Sequence, residues 1–144
     1  MTAERLLCTF TVAGHEFGLD VGVVQEVLRR QEITRLPLAA PAVRGIINLR
    51  GRIVPAVDLR RCLDLPAAPA GREPANIVVQ GPSSVASLLV DEIGDVVTVC
   101  DEAFERTPDT VTGAVRALAL GVFPLHDRLL LELDLGRVLR AAYS

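Results

Sequence analysis

The side chains with the chemistry to catalyse are present, but none has the company that catalysis needs. His15 and His126 stand apart, with no Cys, His or Asp at metal-ligand spacing, and read as surface or packed histidines. Ser83, Ser84 and Ser87 cluster without a G-x-S-x-G elbow or a base nearby in sequence. Cys8, Cys62 and Cys100 are odd in number, widely separated and never C-x-x-C. They read as buried small hydrophobes, and argue against a metal cage and an oxidising compartment. The chain has no lysine, so a phosphate-binding G-x-x-x-x-G-K-[ST] loop is impossible. The run Asp101-Glu102…Glu105 lacks calcium-loop spacing and reads as a solvated face. No catalytic residue, cofactor or metal is expected.

What the charges do show is segregation. All fifteen cations are arginines. Eight lie between 29 and 61 beside only Glu32 and Asp58, which gives that window +6. The other seven face sixteen carboxylates, which gives −9, in a chain of net charge −3. A basic segment in an acidic molecule suits one face turned to an acidic partner. Nucleic acid is not that partner. Single-strand binding needs aromatic platforms, and none lies between Gly18 and Ala103, in a chain of pI about 5.4.

The 144 residues fit one domain or two small lobes, and 50% hydrophobic content is enough to bury a core. Mean hydropathy is +0.38, yet no apolar run is long enough to span a bilayer, and the first residues lack the basic and apolar regions of a signal peptide. A cytoplasmic protein is expected, complete from Met1 to just past its closing helix. Strand patterns dominate: Leu6 to Val12, Phe17 to Leu19, two strands turning at Arg50-Gly51, Ile77 to Val79, Val85 to Val90, Val96 to Val99 and Leu129 to Leu133. Asp20 is expected to cap one or two helical turns across Val21 to Leu28, Asp58 a short helix Leu59 to Leu63, and Asp134 a closing helix to about Ala142. Asp91 to Asp95 reads as a capped turn, and Pro66 to Pro74 as a linker.

The second half repeats the first. LRGRIVPAVDLRRCL (49–63) matches LHDRLLLELDLGRVL (125–139) at an offset of 76, and Gly45 meets Gly121. A weaker match at an offset of 69 sets Leu19, Val21, Glu26 and Val27 against Leu88, Val90, Asp95 and Val96. Two related lobes follow, about 6–65 and 76–140, joined by 66–75. The fold class expected is mainly β: two packed five-stranded SH3-like barrels with short capped helices. Recurrence marks Asp58/Asp134 and Arg52/Arg128 as scaffold. Arg50 does not recur, since its counterpart is His126, so it is the better candidate for recognition. An apolar surface with one arginine at a hairpin tip suits protein–protein docking.

The stretches Gly18-Leu-Asp-Val…Val24-Gln-Glu-Val27, Ile33-Thr-Arg-Leu-Pro37 and RGxxNLRGxIVPxxDLR (44–60) resemble the CheW-type chemotaxis coupling proteins. Leu125 to Leu139 looks like that family's second signature, with His126 in place of its usual glycine. The resemblance runs from about residue 6 to 140. It implies two five-stranded SH3-like barrels and a non-enzymatic adaptor bridging a chemoreceptor cytoplasmic tip to the regulatory domain of a CheA-type histidine kinase. By position it implies that Val24, Glu26, Arg50 and Ile53 face the receptor tip, with Gly45 and Gly51 holding the backbone there. It implies no direct membrane insertion. The alternative keeps the scaffold but changes the pathway to twitching, development, second-messenger signalling or polar localisation.

Overall fold

A computed structural model of the chain describes residues 3–144 as two five-stranded sheets. The alternating segments form β1 (Glu4–Val12) and β2 (His15–Asp20), joined by the left-handed pair Ala13-Gly14. Asp20 accepts from the Gly22 N–H at 2.8 Å and caps a single 3-10 turn, Val21–Val23. The expected helix stops there: Val24–Leu28 is strand β3. Its apolar spacing imitates a helix because a bulge at Gln25 breaks the two-residue alternation. Next come β4 (Val43–Leu49), β5 (Arg52–Asp58) and α1 (Leu59–Cys62), then an irregular crossing over 63–74. The second half gives β6 (Ala75–Gln80), β7 (Val85–Val90), β8 (Glu92–Cys100), α2 (Gly113–Leu118), β9 (Ala119–Pro124), β10 (Leu129–Leu133) and α3 (Leu135–Ala142). The turn expected at Asp91 to Asp95 is instead the start of β8, extended through its own bulge.

Sheet I has the order β8-β1-β2-β10-β9, and sheet II the order β3-β6-β7-β5-β4. The sheets therefore do not follow the expected lobes 6–65 and 76–140. Each takes its first two hairpin strands from one repeat and its other three from the other repeat. The duplication itself is exact in register: Phe10↔Phe17 in sheet I answers Val79↔Ala86 in sheet II, and Pro124↔Leu129 answers Asn48↔Ile53. The parallel contacts also correspond, Glu132↔Gly18 with Ala56↔Ser87. Even the bulges fall at equivalent places, Cys8/Phe10 and Val24/Glu26.

Each sheet closes on itself by the same device. The chain leaving edge strand β3 crosses to the opposite edge, where Thr34 and Ile46 exchange two backbone hydrogen bonds at 2.8–2.9 Å. The chain leaving β8 does the same through Glu105 and Val122, again at 2.8–2.9 Å. The principal core lies between the sheets, with Phe10, Phe17 and Leu19 packed among Val57, Ile77, Val79 and Leu88. Each such buried side chain stabilises the fold by about 1.5–3 kcal/mol. A smaller cluster fills each barrel: Leu7, Val99, Phe123 and Leu130 in one, Ile47, Val54, Ala56 and Leu89 in the other. Both recurring aspartates cap helices, Asp58 accepting from Arg60 N and Asp134 from Arg137 N, each at 3.1 Å. Among the cysteines only Cys62 is fully buried. Cys8 and Cys100 are half-buried strand residues, so the reading of all three as core holds for one.

Candidate functional site

The β4–β5 hairpin turns on Arg50 and Gly51, with φ of +51° and +86°. That two-residue, doubly left-handed turn matches the twist of the flanking strands. Glycine takes it freely, whereas arginine pays about 1–2 kcal/mol for its Cβ. The Asn48 side-chain oxygen accepts from the Gly51 N–H at 2.9 Å and fixes the turn. The result is an arginine held at the tip with 68% of its side chain exposed.

Its guanidinium is already engaged. Nη1 donates to Glu26 Oε1 at 3.0 Å and Nη2 to Oε2 at 2.6 Å, a two-pronged fork on a side chain only 27% exposed. Glu26 lies on β3 and Arg50 beside β4, the two opposite edges of sheet II, so the pair spans the closure of that barrel. An exposed pair of this kind adds about 0.2–1 kcal/mol to stability. Its larger effect is directional: it sets the orientation of the arginine.

Ile53, also 68% exposed, stands opposite Asn48 on the same hairpin. Val24 is half-buried against the inter-sheet core, as Val23 is. The apolar side chain that β3 does expose is Val27, which the sequence reading passed over. Gly45 is required by contact. A Cβ there would sit 2.1 Å from the Thr34 carbonyl oxygen, on the strand crossing that closes the barrel. A Cβ at its counterpart Gly121 would likewise sit 2.6 Å from the Glu105 carbonyl oxygen, which explains why this glycine recurs. Gly51 has open space around it and is needed only for its backbone angle.

Sheet I carries an equivalent surface with different chemistry. Val96 and Leu129 are exposed like Val27 and Ile53, but Asp95 and the exposed His126 replace Glu26 and Arg50. The forked pair is confined to one barrel. The basic window is also partly spent internally: Arg60 is buried on Asp91, Arg44 pairs with Asp58 and Arg30 with Glu73. Among the described residues no group of three His, Cys, Asp or Glu is placed to hold a metal ion, and no helix is long and apolar enough to cross a membrane.

Residues 6–143 match the CheW-like domain. The chain is 37% identical over 132 residues to the chemotaxis protein CheW of Rhizobium meliloti, covering 90% of this chain and 85% of that one. It is 32% identical over 138 residues to the chemotaxis protein CheW of Bacillus subtilis, covering 96% and 88%. A protein of another name, PilI of Pseudomonas aeruginosa, is 30% identical over 114 residues, covering 79% of this chain and 64% of that one. Among solved structures, the scaffolding protein TtCheW of Thermoanaerobacter tengcongensis superposes with a TM-score of 0.84 at 27% identity, covering 94% and 92%. Register, closure and sequence agree, and the chain belongs to the CheW-like domain family.

Proposed function

We propose that the protein is a non-enzymatic adaptor coupling the cytoplasmic tip of chemoreceptors to a CheA-type histidine kinase, in the cytoplasm at membrane-associated receptor arrays. The observation that carries this reading is the Arg50–Glu26 fork at an exposed hairpin tip beside an exposed isoleucine. A guanidinium has five N–H donors. Glu26 occupies the Nη1 and Nη2 side, which leaves the Nε–H and the remaining donors for an acidic residue of a helical receptor tip. Glu26 then acts by aiming Arg50, Ile53 and Val27 supply apolar contact, Gly45 and Gly51 keep the backbone in place, and Val24 backs β3 from the core. The relatives named CheW support the chemotactic setting. The likeness to PilI favours a second reading, the same coupling in a twitching, development, second-messenger or polar-localisation pathway.

Calorimetric titration with a purified receptor signalling tip and a kinase regulatory domain from the same genome tests both readings. Arg50→Ala is expected to weaken the receptor arm by about 1–3 kcal/mol, roughly 5- to 150-fold, and to leave the kinase arm unchanged. An unchanged receptor affinity in a folded variant refutes the site. Binding of wild type to neither partner moves the protein to the second reading.

A further inference from the structure

The duplication gives the molecule two copies of one groove, and the copies differ in what lies across them. In each, the wall runs from the second strand of a hairpin to the residues that start the following helix. Leu120, Asp134 and Gly136 of the first groove match Arg44, Asp58 and Arg60 of the second at the offset of 76, and Asp20 matches Leu89 at the offset of 69.

The chain itself fills the second groove. The crossing that leaves α1 lays Leu65 on the inter-sheet core and offers the Pro66 carbonyl to Arg60 Nη1 at 2.7 Å. It then lines the groove with Ala68, Arg72 and Pro74. Within 65–74 only Leu65, Ala68 and Pro74 are half-buried, and the others face solvent. Spacing by multiples of three is how a polyproline segment, with three residues per turn, shows one face. The space left is about 20 Å³, room for about one water.

The first groove has no such cover. Leu19, Leu120 and the start of α3 form its wall on the side of sheet I, Val23 and the β6–β7 turn on the side of sheet II. Among the described residues no segment lies across it, and about 450 Å³ stays open. Gly136 leaves free the space that the Arg60 side chain takes in the second groove, and exposed Leu120 replaces Arg44. The lining carries Asp20, Glu132 and Asp134 and no cation. Arg137 meets Asp134 at 3.4 Å from outside the groove. A single Arg5 serves Glu132 at 2.7 Å, Asp101 at 2.9 Å and Asp20 at 3.2 Å, so two negative charges are left over beside an apolar wall.

We infer that this groove takes an extended, proline- and alanine-rich segment of a partner protein that carries a basic side chain, laid as 65–74 is laid on the counterpart. Small apolar side chains rest on Leu19 and Leu120. The cation enters over Gly136, toward Asp20 and Glu132. Proline holds such a segment extended beforehand, which lowers the entropy lost on binding. Few side chains and one exposed charge make the contact weak and salt-dependent. The groove shares no residue with the Arg50–Glu26 surface, and the inference does not rest on the receptor reading.

The probe is a synthetic peptide of this chain's own crossing, LPAAPAGREP, titrated to about 5 mM into ¹⁵N-labelled protein at low salt and followed by heteronuclear NMR. The tethered crossing excludes it from the second groove. Saturating amide shifts are expected at Gly81, Leu120 and Gly136, with a Kd of order 1 mM that weakens several-fold as salt is raised. Gly136→Arg puts the arginine of the second groove into the first, where the new Cβ meets only Asp134 Oδ1 at 3.3 Å and Arg140 Nη1 at 3.5 Å. It should abolish the shifts, as should Leu120→Asp at an exposed position, with circular dichroism verifying that both variants fold. A peptide with glutamate in place of its arginine should lose most of the binding. Wild type without saturating shifts overturns the inference. So do shifts that persist in Gly136→Arg, or shifts centred away from the groove. Groove amides that move with protein concentration alone mark a second copy as the occupant and overturn it too.

Discussion

Replacing Asp91 by alanine removes a carboxylate that both barrels use. Asp91 follows the last residue of β7 in sheet II, and its Oδ2 accepts from the backbone N–H of Ala13, in the β1–β2 turn of sheet I, at 2.8 Å. The same carboxylate takes Arg60 Nε at 3.1 Å and Nη2 at 2.6 Å, while Arg60 Nη1 reaches the Pro66 carbonyl at 2.7 Å. The two side chains are only 10% and 8% exposed. Without Asp91 the guanidinium is left charged and almost dry, a loss of about 3–5 kcal/mol. The Ala13 N–H loses its acceptor as well, worth about 1–3 kcal/mol where water is excluded. Water entering the vacated space relieves both at once, so the two overlap, and about 4 kcal/mol is the expected loss. At roughly 2–4 °C per kcal/mol for a domain of this size, the melting temperature should drop by about 8–16 °C. Urea unfolding followed by circular dichroism at pH 7 measures the free-energy loss, and a thermal melt the shift in temperature. Burial raises the Asp91 pKa, but the Arg60 and Ala13 hydrogen bonds and the charges of Arg60 and Arg72 outweigh it, and the carboxyl stays below the usual range. Its stabilisation is therefore complete above the unfolded value of about 3.9 and lost as pH falls through the lower folded one, so the deficit of the variant should shrink below about pH 4. The double variant Arg60→Met/Asp91→Leu should recover at least half the loss, since no charge is left unpaired. A loss under about 1 kcal/mol in Asp91→Ala, or no recovery in the double variant, refutes this account.

Asp58→Ala and Asp134→Ala should each cost about 1 kcal/mol in a thermal melt, as equivalent helix caps, and leave binding to receptor and kinase intact. Gly45→Ala pushes a methyl group into the Thr34 carbonyl and should cost about 3 kcal/mol by urea unfolding, against about 1 kcal/mol for Gly51→Ala, where only the backbone angle suffers. Burial, with Asp58 adding to it, pushes the Cys62 thiol up to about 11, so iodoacetamide at pH 8 should label Cys62 only when denaturant unfolds the chain, as read by peptide mass spectrometry.

Much of the fold is legible where chemistry is local. The Arg50-Gly51 hairpin, the aspartate caps before Leu59 and Leu135, and the recurring Gly45/Gly121 all declare themselves within a few residues. The failures have two causes. Bulges at Gln25 and Gly94 interrupt the alternation of β3 and β8, which disguised one strand as a helix and the start of the other as a turn. Strand exchange is invisible because the repeats offer interchangeable partners: Val27 and Val96 sit at equivalent positions on strands of the same pattern, and nothing local says which of β1 or β6 each will join. For the site, position in the sequence could flag Arg50 as unique to one repeat. Its pairing with Glu26 had no sequence signal, since 24 residues and two sheet edges separate them; the resemblance placed the two only on one receptor-facing surface. The Arg60–Asp91 pair had no sequence signal, as an arginine in a basic run looks solvated.

The exchange of strands also governs the order in which the chain can acquire structure during synthesis. When the first 65 residues have left the ribosome, β1–β2 and β4–β5 can close as hairpins, but neither has the strands that lie beside it. Sheet II waits for β6 and β7, so it is complete once residue 90 emerges, while sheet I waits for β10 near residue 133. Until β8 emerges near residue 100, β1 and β2 remain a lone hairpin with both edges open, a state marginal on its own and apt to pair with other chains, and β2 keeps its outer edge open until β10 arrives. The second-made barrel, not the first, carries the N-terminus. A nascent chain of this protein is thus vulnerable at its oldest segment, and translation pauses before β8 would lengthen that exposure, whereas pauses after β10 would not.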